Sequence, residues 1–314
     1  MPSGFSVRAK SIDMDIAQGI WPPAATPFRA DLSIDFDRYI THCRRLLADG
    51  ANGLAVLGTT SEANSLDLAE RETVLERLVA AGIAADRLLP GTGATSLGDA
   101  ARLTGHALGL GVRGVLLLPP FYYKGVSDEG LFTFVSALIE RVGSDRLRLY
   151  LYNFPQMTGI IWSVALVGRL RDAFPKTVVG LKDSSGDVAY MDRLLDSHPG
   201  FAVFPSSEAL LLVALRKGAA GCISATANTH VIEIRRLFDR WRDGEAAALH
   251  ERVSAVRRLV QSYPLIPAVK AILAERDRAS DWLRMRPPLE SLDSKSRGEL
   301  LAGLAKLRDT AVPA

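Results

Sequence analysis

The chain has 314 residues, 48% apolar and 23% charged, with a formal net charge of +3. These proportions exclude a collagen-like or charge-rich disordered chain, and two cysteines, Cys43 and Cys222, exclude a disulfide scaffold. No apolar run approaches the ~18 residues of a spanning helix, and residues 1–18 show no apolar core of signal-peptide length, so a cytoplasmic protein with no membrane partner is expected. Acidic and basic residues interleave. The densest basic segment, 235–242, has helical spacing and contains Asp239, so it reads as a solvated helix face and no nucleic-acid partner is expected.

In chain order, short apolar runs alternate with helix-period segments. The runs are 19–27, 53–57, 88–93, 114–118, 148–152, 178–182, 201–206 and 221–224. Val115, Leu116, Leu117 and Leu118 are apolar at every position, as in strands buried on both faces of a parallel sheet. Between the first two runs, Asp35 can cap a helix with Phe36, Tyr39, Ile40, Cys43, Leu46 and Leu47 on one face, ending near Gly50. Asp67 and Glu70 have capping-box spacing for the next helix. Further helices are predicted over 99–108, 128–142, 164–173, 188–195, 208–217 and 232–241. Eight βα units imply right-handed crossovers and closure into a (β/α)8 TIM barrel. The predicted organisation is an N-terminal extension (1–18), a barrel (19–243) and a C-terminal helical extension (244–314) with helices at 245–262, 264–275 and 294–308.

In such a barrel the chemistry sits where strands end and the following loops begin. Lys182 ends the run Val178-Val179-Gly180-Leu181. Burial favours a lysine's neutral amine, the form that Schiff-base chemistry requires; a strand-end lysine paired with Asp183 is the competing reading. Only eight of the 38 basic residues are lysines, and the one rival, Lys270, falls on a helix outside the barrel. Tyr152 ends the preceding strand, where a phenol can relay protons, although it could equally cap the core. Gly58-Thr59-Thr60 offers hydroxyls and backbone N–H groups as a carboxylate cradle. The histidines His42, His106, His198, His230 and His250 lack metal-ligand spacing and read as surface or loop residues. Gly91-Thr92-Gly93 begins like a dinucleotide fingerprint, but it lacks the third glycine and has Arg113 where an acid is expected. Cys222 reads as buried packing.

Five motifs resemble the dihydrodipicolinate synthase / N-acetylneuraminate lyase family of class I aldolases. They are Gly58-Thr59-Thr60-Ser61-Glu62, Tyr122-Tyr123 with Ser127-Asp128-Glu129-Gly130, Tyr152-Asn153-Phe154-Pro155, Gly180-Leu181-Lys182-Asp183, and the eighth-strand segment from Gly221 to Asn228 that includes Ile223. The resemblance implies a Schiff base between Lys182 and pyruvate or another 2-oxo acid, with Tyr152 as proton relay. Thr59 and Thr60 would hold the carboxylate, and Thr60 would link Tyr152 to Tyr123. Ser61, Met157, Ser206, Glu208 and Ile223 would shape the substrate pocket. In the family the second tyrosine comes from a neighbouring subunit, which implies a homo-oligomer, commonly a dimer of dimers. No metal or organic cofactor is expected.

Three departures bear on the substrate. Dihydrodipicolinate synthases place an arginine two residues after the YNxP proline, and this chain has Met157. The segment Gln156-Met157-Thr158-Gly159 looks more like that of 2-keto-3-deoxy sugar-acid aldolases or N-acetylneuraminate lyases. Ser61 and Ser206 stand where glycines are usual. Glu208 falls where some lyases bind substrate hydroxyls, although an acid at a helix N-terminus is also favoured by the dipole. The expected function is a pyruvate-type lyase acting on a 2-keto-3-deoxy sugar acid or related hydroxy-oxo acid. The alternatives are dehydration of such an acid, dihydrodipicolinate synthesis with Arg148 or Arg169 replacing the missing arginine, and a non-catalytic 2-oxo-acid binder.

Overall fold

The computed structural model describes residues 16–112 and 114–309. Most of the expected N-terminal extension, Lys10 and Arg113 lie outside these residues. Among the described residues six regular strands form, β1 (Gly19–Ile20), β2 (Gly114–Leu117), β3 (Arg148–Asn153), β4 (Val178–Asp183), β5 (Ala202–Pro205) and β6 (Gly221–Cys222). They pair in parallel, β2 to β5 consecutively and β1 with β6. The second and third predicted strands are extended segments rather than regular strands, joined by a parallel bridge from Leu54 to Leu88 and tied to β2 by one from Gly91 to Leu116.

The two remaining seams each close through a pair of backbone hydrogen bonds. Asn52 N donates to Ile20 O and Ala55 N to Pro22 O at 2.8 and 2.9 Å, while Ala220 N reaches Val203 O and Ile223 N reaches Pro205 O. Every adjacent pair of staves is therefore bonded, and the barrel is complete. Close approach explains the irregular staves. A side chain at Gly53 would meet the Trp21 ring at 2.1 Å, and one at Gly91 would meet the Leu57 carbonyl at 2.2 Å.

Trp21, Ala55, Leu89, Leu116, Tyr150, Val179, Ala202, Phe204 and Ile223 form one buried cluster drawn from all eight staves, which is the barrel lumen. Ala17 N donates to Tyr150 Oη at 2.6 Å, and Ile16 and Ala17 pack on the same cluster, closing one end. A larger cluster fills the layer between staves and surrounding helices.

The helices follow local signals. Helix α1 (Phe36–Ala48) is capped by Asp35, and α2 (Leu68–Ala80) has the full Asp67–Glu70 capping box. Helices α3 (Leu97–Gly109) and α4 (Asp128–Val142) start on the hydroxyls of Ser96 and Ser127. A short turn, α5 (Pro155–Thr158), precedes α6 (Val164–Ala173) and α7 (Val188–Ser197). The segment predicted as one helix over 208–217 splits into a 3-10 turn (Glu208–Leu210) and α8 (Leu211–Arg216). Helix α9 (Ala227–Asp239) starts five residues before its predicted position and kinks at His230. The C-terminal helices are α10 (Ala246–Gln261), α11 (Leu265–Asp277) and α12 (Ser294–Asp309), which share a separate core around Val260, Val269, Leu273, Trp282 and Leu300. On α9, Arg235 pairs with Asp239, and Arg236 and Arg240 with Glu245, so the basic segment is a solvated, ion-paired face. No helix among the described residues is long and apolar enough to cross a membrane.

Candidate active site

Side chains alternate along a strand, so cross-strand register decides which residues meet. Lys182 lies directly opposite Tyr152 across β3 and β4, and Asp183 opposite Asn153. Lys182 and Tyr152 are both buried, and the Lys182 Nζ sits 4.1 Å from the centroid of the Tyr152 ring. Among the described residues nothing accepts a hydrogen bond from that amine. Asp183 points the other way. It accepts from Asn153 Nδ2 at 2.9 Å and from Ser185 N and Oγ, and burial raises its pKa. The competing reading of Lys182, an ion pair with Asp183, does not hold.

Tyr152 is fixed from several sides. Its ring stacks on Phe154, and its carbonyl accepts from Trp162 Nε1 at 3.1 Å. Its hydroxyl lies 3.2 Å from Thr59 Oγ1. Thr59, and not the Thr60 anticipated as the link to Tyr123, is thus the threonine that meets the Tyr152 phenol within this chain. The turn explains the exchange. Ser61 N and Ala63 N bond Gly58 O, and Glu62 N bonds Thr59 O, so the chain curls immediately after Gly58 and aims the first hydroxyl at the phenol. Thr60 is also buried. The Thr59 and Thr60 amides donate to nothing among the described residues and remain available as a carboxylate cradle. Ser61 is not a pocket residue in this arrangement, because its hydroxyl donates to Ala24 O at 2.7 Å.

The other predicted site residues separate. Ile223 lies in the barrel lumen. Ser206 is half-buried, its N–H donating to Asp183 O. Met157 is 62% exposed on α5. Tyr122 and Tyr123 stack edge-to-face at 5.3 Å and are 73% and 72% exposed, so Tyr123 does not reach Tyr152 within this chain. Glu208 is fully buried and accepts from the hydroxyls of Ser224 and Thr226, themselves buried. Its carboxylate is consumed by the fold. It backs onto a cavity of about 1140 Å³ between α9, α10, α11 and α12 that neither Lys182 nor Tyr152 lines.

Neither alternative arginine serves the site. Arg148 begins β3, at the opposite end of the strand from Tyr152, and donates to Asp145 O. Arg169 pairs with Glu129 on the exterior. Gly91 and Gly93 offer their carbonyls to buried Arg71 at 2.9 and 3.1 Å, so this stretch holds an internal guanidinium. One histidine departs from the surface reading. His42 is buried, its Nε2 2.9 Å from Asn228 Oδ1, and burial lowers its pKa to about 4. Burial also raises the Cys222 thiol far above its ordinary range. No three His, Cys, Asp or Glu side chains among the described residues are placed to hold a metal.

Lys270, set aside in the sequence as a helix residue outside the barrel, has a contact to the 58–62 turn that was not anticipated. It is fully buried, and its amine bonds Glu62 of the 58–62 turn and Arg284 O at 2.8 Å. A lysine inside the apolar stretch of α11 was the available signal, because such a residue needs a buried partner.

A closed eight-stave barrel with a buried lysine and a phenol at one rim is the architecture of a (β/α)8 enzyme. The chain belongs to the dihydrodipicolinate synthetase family, whose profile matches residues 16–307, and it is a lyase of that family. It is 34% identical over 299 residues to a "DapA-like lyase" of Chloroflexus aurantiacus, covering 94% of this chain and 99% of the relative. Its fold matches dihydrodipicolinate synthase from Agrobacterium tumefaciens, with a TM-score of 0.87 and 35% identity, covering 93% and 99% of the two chains. It also matches YagE from Escherichia coli, a family member solved in complex with pyruvate, with a TM-score of 0.84 and 28% identity, covering 93% and 98%.

Proposed function

We propose that the protein is a Schiff-base lyase that cleaves a 2-keto-3-deoxy sugar acid, or a related hydroxy-oxo acid, to pyruvate and an aldehyde. The observation that carries this reading is the Lys182 amine, buried against Tyr152 and bonded to no carboxylate among the described residues. Lys182 Nζ attacks the substrate's C2 ketone, and loss of water from the carbinolamine leaves an imine. The C3–C4 bond then breaks, and its electron pair flows into the imine to form an enamine. The C4 hydroxyl proton leaves through Tyr152 and Thr59, and the aldehyde departs. Protonation at C3 and hydrolysis release pyruvate and free Lys182. The imine nitrogen is the electron sink, so the mechanism calls on no metal or organic cofactor.

The Thr59 and Thr60 amides would receive the substrate carboxylate. The relay is completed by Tyr123 of a second copy, a role consistent with the exposure of both tyrosines, and the active species is then at least a dimer. Met157 favours cleavage of a hydroxy-oxo acid over condensation with aspartate semialdehyde, because a thioether cannot make the bidentate contact of a guanidinium with a carboxylate. Borohydride reduction in the presence of pyruvate should add one reduced pyruvyl group to the Lys182 peptide, and Lys182→Ala should abolish the adduct. A wild-type Lys182 peptide of unchanged mass refutes the Schiff-base reading. Screening 2-keto-3-deoxy acids for pyruvate release, with aspartate semialdehyde in parallel, decides the second substrate.

A further inference from the structure

The turn that carries Thr59 is held by the C-terminal helices. Glu62 closes it in the left-handed region, at φ 56°, a conformation that a non-glycine residue keeps only where its surroundings over-determine it. The Glu62 carboxylate supplies that anchor. One oxygen takes the Lys270 amine from α11, and the other takes the N–H of Arg286 at 3.1 Å. Lys270 is fully buried and Glu62 is 3% exposed. The Lys270 amine also stands 4.5 Å over the Phe28 ring and bonds Arg284 O. Arg286 extends the clamp by bonding Glu70 and the carbonyls of Leu32 and Ser65. A buried ion pair is a weak source of net stability, so its location on the Thr59 turn asks for a different explanation. Lys270 cannot be a second nucleophile, since its amine is committed to Glu62 and sealed from substrate.

We propose that Lys270 and Glu62 are positioning residues: their ion pair fixes the 58–62 turn so that the Thr59 hydroxyl stays on the Tyr152 phenol, which makes the C-terminal helices part of the proton relay. This inference rests on the reading of Lys182, Tyr152 and Thr59 given above. Lys270→Met removes the clamp. Glu62→Asp keeps both charges but withdraws the carboxylate by one methylene, and it carries the test if Lys270→Met does not fold.

The measurements are pyruvate trapping at Lys182, exchange of the pyruvate C3 protons for deuterium, and crystal structures of the variants. Both variants should still trap pyruvate while exchange falls about 10- to 100-fold, the scale of a misplaced catalytic group. The Thr59–Tyr152 distance should open beyond hydrogen-bond reach, and Lys270→Met should cost less than about twofold more in a Thr59→Val background. A folded variant with exchange within twofold of wild type and the 3.2 Å contact intact overturns the proposal, as does a double variant whose losses simply multiply. If wild-type protein traps no pyruvate, the Schiff-base reading falls, and the crystallographic distance alone decides the positioning role.

Discussion

Replacing Tyr152 by Phe removes one oxygen and leaves the rest of the site's packing in place. The ring that stacks on Phe154 and faces the Lys182 amine at 4.1 Å is retained, and phenylalanine keeps most of a tyrosine's attraction for a cation. Among the described residues, the lost oxygen hydrogen-bonds only Thr59 Oγ1, at 3.2 Å. Thr59 is half-buried and can turn to water, so the stability cost should be about 1 kcal/mol or less. The kinetic cost should be far larger. A positioned acid–base group contributes about 10²- to 10⁴-fold, or roughly 3 to 5 kcal/mol of barrier. The variant should therefore unfold near the wild-type midpoint and lose that factor in deuterium exchange at pyruvate C3 and in aldol cleavage. Borohydride should still trap pyruvate on Lys182, more slowly. Exchange within threefold of wild type would remove Tyr152 from the relay.

Glu208→Ala should cost about 2 to 4 kcal/mol in urea unfolding, because the Ser224 and Thr226 hydroxyls lose their buried acceptor, while trapping at Lys182 persists; lost turnover without lost stability would return Glu208 to the substrate. His42 has a folded-state pKa of about 4, below its ordinary 6.5, so the unfolded chain binds the proton first. Its stability is intact above about pH 6.5 and falls between 6.5 and 4, by about 3 kcal/mol in all. His42→Gln should flatten the slope of the thermal midpoint over that window, and superimposable pH profiles would refute this. Met157→Arg, at an exposed position, should leave stability within about 0.5 kcal/mol and raise turnover with aspartate semialdehyde; an unchanged rate would show that more than the arginine separates this chain from the synthases.

The barrel was legible because its signals are local. The run Val115 to Leu117 lies inside β2, and Asp35, Asp67 and Ser127 cap helices at the expected places. The second and third staves were less so, because glycines chosen for close approach to Trp21 and Leu57 leave only single bridges. The start of α9 was hidden because Thr226-Ala227-Asn228 has loop composition, yet Asn228 is buried and ties Ala25 to its own helix turn. At the site, strand ends alone singled out Lys182 and Tyr152 as candidates but left an Asp183 ion pair and core packing open as alternatives, and their roles came from the family motifs. The choice of Thr59 over Thr60, the withdrawal of Glu208 and the burial of Lys270 depend on turn geometry and on contacts more than 200 residues apart in one case, which residue spacing does not encode.

One such contact decides where Lys182 points. Leu149 pairs with Val178, but the next residue, Tyr150, pairs with Gly180, so Val179 is an extra residue in β4. Such a bulge shifts every later side chain of its strand by one position. Without it, Tyr152 would face Leu181, and Lys182 would stand opposite Asn153 on the outer side of the barrel. Gly180 makes the arrangement possible: a Cβ there would sit 2.4 Å from the Tyr150 ring and 2.6 Å from the Ala202 carbonyl. The ring could turn, but the backbone oxygen of β5 cannot move without disturbing the β4–β5 ladder. Gly180→Ala should therefore cost at least about 2 kcal/mol, in the range of overpacked cores, and should slow imine trapping in whatever fraction remains folded. Gly105→Ala is the control. It lies in α3 with nothing within 4 Å of the added carbon, and it should be neutral or stabilising by up to about 1 kcal/mol. If Gly180→Ala matched wild type in both stability and trapping, the bulge would not be what aims the lysine into the barrel.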